Sequence, residues 1–150
     1  MIRYSSDVTI NRAPGEVLDA LLDADMYSKW TPMEDVEFDG EGRPGVGTTG
    51  RFRMAEGPIK GLLEMQIAEL DPTRRLVVKV THPYMDWTAI STVAAEGAGT
   101  RLTYAGEIRL KGWRRILEPI MVGEIRKGEA NEAIRLKAVL ETRMAGTQPS

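Results

Sequence analysis

Cysteine is absent from this 150-residue chain, and histidine occurs only once. Without cysteine there are no disulfides, no thiolate metal sites and no thiol nucleophiles, and a single histidine does not build a His-rich metal site. We therefore expect no metal and no cofactor. The chain also lacks a Gly-x-Gly-x-x-Gly loop, a Walker-type lysine loop and a Gly-x-Ser-x-Gly elbow. Dinucleotide binding, P-loop phosphate binding and serine-hydrolase chemistry consequently have no support in the sequence.

Long runs of charged residues of one sign and long apolar runs are missing as well. Lysine and arginine are spread along the chain and the net charge is −2, so no nucleic-acid partner is expected. No apolar stretch approaches the roughly 18 residues that a membrane span requires, which predicts no membrane insertion. The first residues do not form the apolar segment of a signal peptide, so we expect a cytoplasmic protein.

The length and the even composition predict a single domain. A chain of 150 residues fits one domain and buries roughly two-thirds of its unfolded surface. No linker and no internal repeat interrupts it. We assign the domain to residues 1–145 and expect a flexible tail at residues 146–150.

The N-terminal part of the chain predicts a strand followed by two short helices. Val8 and Ile10 alternate with polar residues, as in a half-buried strand over residues 8–11. Asn11 is positioned to cap the next helix, whose first turn accepts Pro14. A second short helix, or a turn, is expected over residues 23–30.

Alternating apolar and polar residues then predict six further strands. They cover residues 35–39, 49–54, 61–70, 75–82, 87–95 and 100–110. The last two flank Glu96-Gly97-Ala98-Gly99, a tight hairpin turn. This turn pairs Val93 with Leu102, Ser91 with Tyr104, Ala89 with Gly106 and Trp87 with Ile108. A slip of one residue would turn every side chain to the opposite face.

The chain ends in a long predicted helix, residues 113–143. Together with the strands this gives an α+β fold in which one helix has one sheet available to cover. If the sheet curls around the helix, a pocket lies between them.

Several short motifs are similar to those of a known superfamily. They are residues 11–17 (NRAPGEV), Trp30-Thr31-Pro32, residues 45–48 (GVGT), 71–76 (DPTRRL), 99–104 (GTRLTY) and 134–141 (IRLKAVLE). By these motifs the chain resembles the START-like superfamily (SRPBCC, or birch-pollen-allergen-like), in its polyketide cyclase/dehydrase and lipid-transport branch. The resemblance implies a helix-grip fold, in which a curved antiparallel sheet wraps around the long C-terminal helix and encloses a hydrophobic cavity.

Side-chain alternation and helical spacing predict which residues line that cavity. From the sheet they are Phe38, Phe52, Met54, Met65, Val80, His82, Trp87, Ser91 and Tyr104. From the helix they belong to the stripe Val122, Ile125, Glu129, Ala133, Leu136 and Leu140.

Three of these residues are candidates for chemistry. A carboxyl group of Glu129 in an apolar cavity would have a raised pKa and could serve as an acid or a base. His82, paired with Tyr104 or Ser91, would suit proton abstraction beside a carbonyl group. Both assignments have alternatives. A second apolar edge on the helix leaves the orientation of Glu129 open, and His82 lies at a strand end where its ring can reach solvent.

Three functions remain open. The favoured one is binding of a small hydrophobic molecule of lipid, polyketide or isoprenoid type. The second is a polyketide cyclase or dehydratase that uses acid and base groups of the cavity, which requires at least two titratable groups to converge there. The third is a protein-interaction module, as in chaperone-associated relatives. We expect a monomer or a weak homodimer.

Overall fold

The structure, a computed structural model, describes residues 1–55, 57 and 59–147, with side chains as far as residue 142. Seven antiparallel strands form one sheet in the order β1-β7-β6-β5-β4-β3-β2. The strands are β1 (Ile2–Ile10), β2 (Met33–Phe38), β3 (Thr49–Met54), β4 (Gly61–Asp71), β5 (Arg75–His82), β6 (Met85–Glu96) and β7 (Gly99–Leu110). The helices are α1 (Pro14–Leu21), α2 (Tyr27–Trp30) and α3 (Glu118–Thr147), with 3₁₀ turns at Ala24–Met26 and Gly112–Leu117. The predicted helix-grip fold is confirmed.

The β6–β7 hairpin has the predicted register. Trp87 pairs with Ile108, Ser91 with Tyr104 and Val93 with Leu102. The pair formed by Glu96 and Gly99 closes a two-residue turn in which Gly97 has a positive φ of 59°. Glycine adopts this backbone conformation without steric cost, which explains why the turn forms here.

The beginning of the chain differs from the prediction in two ways. Strand β1 starts at Ile2 rather than at residue 8, because it pairs with β7 along its whole length, from Ile2 with Ile108 to Ile10 with Thr100. The predicted cap was wrong: Ala13, without a side-chain hydrogen bond, occupies the N-cap position of α1. The chain turns just after β1, so Asn11 lies two residues before the position that caps α1. Its backbone N–H instead donates to Glu141 Oε2 at 2.9 Å.

Helix α3 starts later and ends later than predicted. A 3₁₀ turn at Gly112–Leu117 precedes it, and Pro119 lies in its first turn, where a missing N–H costs nothing. The predicted tail begins at residue 146, whereas α3 continues to Thr147; residues 148–150 lie outside the described part of the chain. No helix among the described residues is both long and apolar enough to cross a membrane.

One continuous core joins the sheet to the helices. The largest fully buried side chains include Trp30, Phe52, Leu102 and Leu136. The predicted helical stripe is buried along its C-terminal half, at Glu129, Ala133, Leu136 and Leu140, and half-buried at Val122 and Ile125. The second apolar edge faces solvent instead, since Ile116, Ile120 and Ile134 are exposed. This settles the phase of α3 that the sequence left open.

Candidate functional site

A cavity of about 360 Å³ lies between the inner face of the sheet and the N-terminal half of α3. We call it the main cavity. It is lined by Pro32, Met33, Met54, Gly57, Ile59, Met85, Trp87, Ile108, Leu110, Met121, Glu124, Ile125, Gly128, Glu129 and Glu132. Its volume is within the range of about 300–1,000 Å³ that is typical of small-molecule sites.

The main cavity opens to solvent at one end. Pro32, Gly57 and Glu124 are exposed and border this mouth. Away from the mouth, Trp87 and the carboxyl groups of Glu129 and Glu132 are buried. The main cavity therefore runs from an exposed rim to a largely apolar chamber that contains two acidic groups.

A second, much smaller space of about 40 Å³ lies deeper in the core. Met33 and Trp87 line both spaces and so form the wall that they share. The deeper space is lined by Phe52, Met65, Ser91 and Tyr104 among other residues. It has room for about one water molecule, whereas the main cavity is large enough for an organic molecule.

The predicted lining residues fall into three groups. Met54, Trp87, Ile125 and Glu129 line the main cavity. Phe52, Met65, Ser91 and Tyr104 line the deeper space, with Trp87 again. Phe38, Val80, His82, Val122 and Ala133 line neither space among the described residues.

The predicted lining residues that border neither space lie in other environments. Phe38 lies at the end of β2 and lines a surface depression near Arg43 and Pro44. Val80 and Ala133 are buried in the packed core, outside the lining of both spaces. Val122 is half-buried on α3 and packs against the core. Alternation and helical spacing identify the buried face of an element, but they do not indicate where along that face a gap remains.

The His82 ring lies at the end of β5, away from the carboxyl groups. Its Nε2 is 3.2 Å from the carbonyl oxygen of Lys60, and its Nδ1 accepts a hydrogen bond of 3.1 Å from the backbone N–H of Tyr84. The hypothesis that His82 pairs with Tyr104 or Ser91 was wrong, because the chain turns at this strand end and the ring follows the turn.

Glu129 and Glu132, which we call the carboxyl pair, are the main chemical feature of the site. Both project from the same face of α3 because they are three residues apart. Glu129 is 8% exposed and Glu132 is 7% exposed. Burial, and then the neighbouring Glu132, raises the pKa of Glu129 well above its usual range. Burial also raises the pKa of Glu132 to about 7, although a hydrogen bond from Tyr104 and the charge of Arg135 oppose this shift.

Glu132 was not predicted from the sequence. Its Oε1 accepts a hydrogen bond of 3.1 Å from the Tyr104 hydroxyl, which fixes the carboxyl group against β7. The available signal was the spacing of three residues from Glu129, combined with the small neighbours Gly128 and Ala133. That signal becomes informative only once the phase of α3 is known.

A hydrogen bond between Tyr4 and Trp87 supports the wall of the cavity. The Trp87 indole N–H donates to the Tyr4 hydroxyl at 3.0 Å. The Tyr4 ring lies across Gly106, where a Cβ atom would come within 2.4 Å of the Tyr4 hydroxyl. Burial raises the pKa of Tyr4 and of Tyr104 well above 10, so both hydroxyls remain protonated at neutral pH, and that of Tyr104 donates to Glu132 Oε1.

Two of the larger depressions elsewhere on the described surface differ in character from the main cavity. One, of about 630 Å³, is bordered by exposed Asp25 and Lys29. The other, of about 730 Å³, is bordered by exposed Arg3 and Arg126. Both have charged rims, so the main cavity is the candidate site. Within the described part of the chain, no cluster of three or more metal-binding side chains occurs.

Solved structures of the same fold are similar to this chain over nearly its full length. TTHA0849 from Thermus thermophilus has a TM-score of 0.73 at 16% identity, covering 97% of this chain and 99% of that one. The Aha1 dimer from Colwellia psychrerythraea has a TM-score of 0.68 at 18% identity, covering 94% and 97%. DynU16, a putative protein of the dynemicin biosynthetic locus, has a TM-score of 0.69 at 17% identity; 95% of this chain matches 48% of it. At such identities these likenesses establish the fold alone.

The sequence itself gives the family. No curated protein sequence matches the chain. A family profile described as "Polyketide cyclase / dehydrase and lipid transport" matches residues 1–141, which include every strand, α1, α2 and most of α3. The chain therefore belongs to the polyketide cyclase/dehydrase and lipid-transport family.

Proposed function

We propose that this protein binds a small, largely apolar molecule in the main cavity. The observation that carries the proposal is a chamber of about 360 Å³ with an exposed mouth and an apolar wall, closed at its buried end by the carboxyl pair. Few polar groups in an otherwise apolar pocket are typical of small-molecule sites, where they orient the ligand. Membership of a family that includes lipid transport and polyketide chemistry supports the same proposal.

Gly128 allows a direct test, because it lines the cavity and a Cβ atom there would meet nothing within 4 Å. Gly128→Leu should fill part of the chamber without a clash. We expect wild-type protein to bind the neutral dye N-phenyl-1-naphthylamine with a rise in its fluorescence, and Gly128→Leu to bind it at least tenfold more weakly.

Gly123→Leu is the matched control for this test. Gly123 lies on the same helix, is exposed and does not line the cavity, and a Cβ atom at this position would also meet nothing within 4 Å. The control variant should bind the dye like the wild type. Equal dye binding by all three proteins would show that the dye is held elsewhere, and no binding by wild type would count against the proposal.

Acid–base catalysis is the second candidate, and the convergence of Tyr104 with the carboxyl pair favours it. A carboxyl group with a pKa of about 7, that of Glu132, is matched to general-base work near neutral pH. Glu129, which holds its proton more tightly, is then the acid. In this reading Glu132 removes a proton beside a ligand carbonyl and Glu129 donates one to the enolate oxygen, as a cyclase or dehydratase requires.

A hydrophobic ketone separates the two candidates. With 2-decanone in D₂O, an acid–base enzyme catalyses deuterium exchange at the carbons beside the carbonyl, which NMR detects, and Glu132→Gln abolishes this exchange. A carrier binds 2-decanone without accelerating the exchange. The expectation of a monomer or weak homodimer remains a prediction, to be checked by analytical ultracentrifugation.

A further inference from the structure

The ionisable side chains that line the main cavity all have the same sign. They are Glu124 at the mouth and Glu129 and Glu132 inside. Lysine, arginine and histidine do not occur among the described residues of the lining. Arg135 lowers the pKa of Glu132 through its charge, but it is exposed and lies outside this lining. The cavity therefore presents acidic groups without a cationic partner inside it.

One oxygen of the carboxyl pair has no partner at all. Glu129 Oε2 is buried and, among the described residues, receives no hydrogen bond. The Tyr104 hydroxyl donates to Glu132 Oε1, and hydrogen bonding by Tyr104 also lowers the pKa of Glu129, so Glu129 Oε2 is the atom that still lacks a donor. A buried polar atom without a partner lowers the stability of the fold by roughly 1–3 kcal/mol, and such atoms are rare in native structures. A donor on a bound ligand would supply the missing hydrogen bond.

We propose that the ligand is a hydrophobic molecule that carries a protonated amine, with its ammonium group between the carboxyl pair and the indole ring of Trp87. This inference rests on the proposed function, because it requires the main cavity to be a binding site. The ammonium group donates to Glu129 Oε2 and to Glu132. The face of a tryptophan ring also attracts a cation.

The charge of the cavity favours an amine over other polar groups. The free protein has already removed the carboxyl pair from water, so binding adds the desolvation of the ammonium group and the release of carboxyl protons. It gains attraction to the carboxylates that result. A hydroxyl group supplies one hydrogen bond but no charge. A carboxylate would be repelled by the pair and by Glu124 at the mouth. The expected order of affinity is therefore amine, then alcohol, then acid.

Binding of an amine should release protons, because a cation lowers the pKa of a neighbouring carboxyl group. The other titratable or charged groups near the pair are Tyr104 from β7, Tyr4 from β1, Tyr27 from α2, and Arg135 and Glu124 from α3. The three tyrosines have raised pKa values and stay neutral near pH 7. Amine affinity should accordingly rise from pH 6 to pH 8, whereas alcohol affinity should stay constant.

Three compounds with one alkyl chain test the proposal: 1-decylamine, 1-decanol and decanoic acid, titrated calorimetrically at pH 7.5. We expect the amine to bind at least tenfold more tightly than the alcohol. Calorimetry in two buffers of different ionisation enthalpy should show proton release for the amine alone. Equal affinity for the amine and the alcohol, or preference for the acid, would overturn the inference.

Variants of the carboxyl pair test whether these two residues cause the preference for the amine. In Glu129→Gln the amine should lose at least tenfold in affinity while the alcohol changes less than twofold, and Glu132→Gln should repeat this result independently. Glu107→Gln, an exposed change beside Arg3, is the control and should leave both affinities unchanged. Each variant must still bind N-phenyl-1-naphthylamine, which shows that the cavity is intact. Dye and alcohol binding without amine preference refutes only this inference, whereas no binding of any compound refutes the proposed function as well.

Discussion

The carboxyl pair should make the folded chain less stable as the pH rises, and Glu132→Gln should remove the part of this dependence that Glu132 contributes. The pKa of Glu132 is about 7 in the folded chain, against an ordinary value of 4.5. The folded chain therefore binds this proton more tightly than the unfolded chain. Its contribution to stability is complete below pH 4.5, falls as the pH rises towards 7, and is lost above 7.

The size of the effect follows from the difference between the two pKa values. At 1.36 kcal/mol for each pH unit, the gap from 4.5 to about 7 corresponds to about 3 kcal/mol. Glu132 is 7% exposed, so solvent screening does not reduce this figure much. For a domain of this size, about 3 kcal/mol corresponds to roughly 6–12 °C in Tm.

The assay is urea unfolding followed by circular dichroism between pH 5 and pH 8. Four carboxyl groups of the described residues have lowered pKa values and stabilise the fold in the opposite sense, but they are already ionised in this window. They are Asp7, Asp39, Glu118 and Glu141. Wild type should therefore lose stability across the window.

Glutamine at position 132 keeps an acceptor oxygen for the Tyr104 hydroxyl but carries no titrating proton. Glu132→Gln should consequently show a shallower profile than wild type and exceed it above pH 7, while burial of Glu129 maintains the remaining slope. Glu107→Gln, which alters an exposed pair with Arg3, should follow the wild-type slope. Parallel profiles for Glu132→Gln and wild type would refute the reasoning.

Three further changes test the packing around the site. Gly106→Ala should destabilise the fold by about 2 kcal/mol or more in urea unfolding, because its Cβ atom would collide with the Tyr4 ring; no loss would mean that the ring moves aside freely. Trp87→Phe should cost about 1–3 kcal/mol by leaving the Tyr4 hydroxyl without its donor, and should weaken dye binding, as fluorescence titration would reveal. Arg12→Met should lower Tm in calorimetry, because the buried guanidinium donates to the Leu140 carbonyl near the end of α3; an unchanged Tm would contradict this role.

The sequence predicted those parts of the fold that depend on local patterns. The turn at Gly97 fixed the register of the β6–β7 hairpin, so the pairs from Trp87 with Ile108 to Val93 with Leu102 followed by counting. Contacts between residues that are distant in sequence were harder to predict. The pairing of Ile2 with β7 was missed, because the first residues alone do not show what they pair with.

The site was only partly predictable for the same reason. Glu129 was identified because it interrupts an apolar stripe of the helix. Glu132 was not identified, because its burial depends on which edge of α3 the sheet covers. Ile116 and Ile120 made a second apolar edge that the structure leaves exposed. His82 fell on the inner face by alternation, yet the turn after β5 takes its ring to Lys60.

Methionine methyl groups provide the most direct test of the central claim, that the space between the sheet and α3 binds a hydrophobic ligand. Four methionines of the described residues line the main cavity: Met33, Met54, Met85 and Met121. Met1 and Met26 lie outside its lining and serve as internal controls. With methyl-labelled methionine, addition of 1-decylamine should shift the resonances of the four lining residues and leave the two controls in place. Shifts confined to the controls, or no shifts at saturating ligand, would contradict the account.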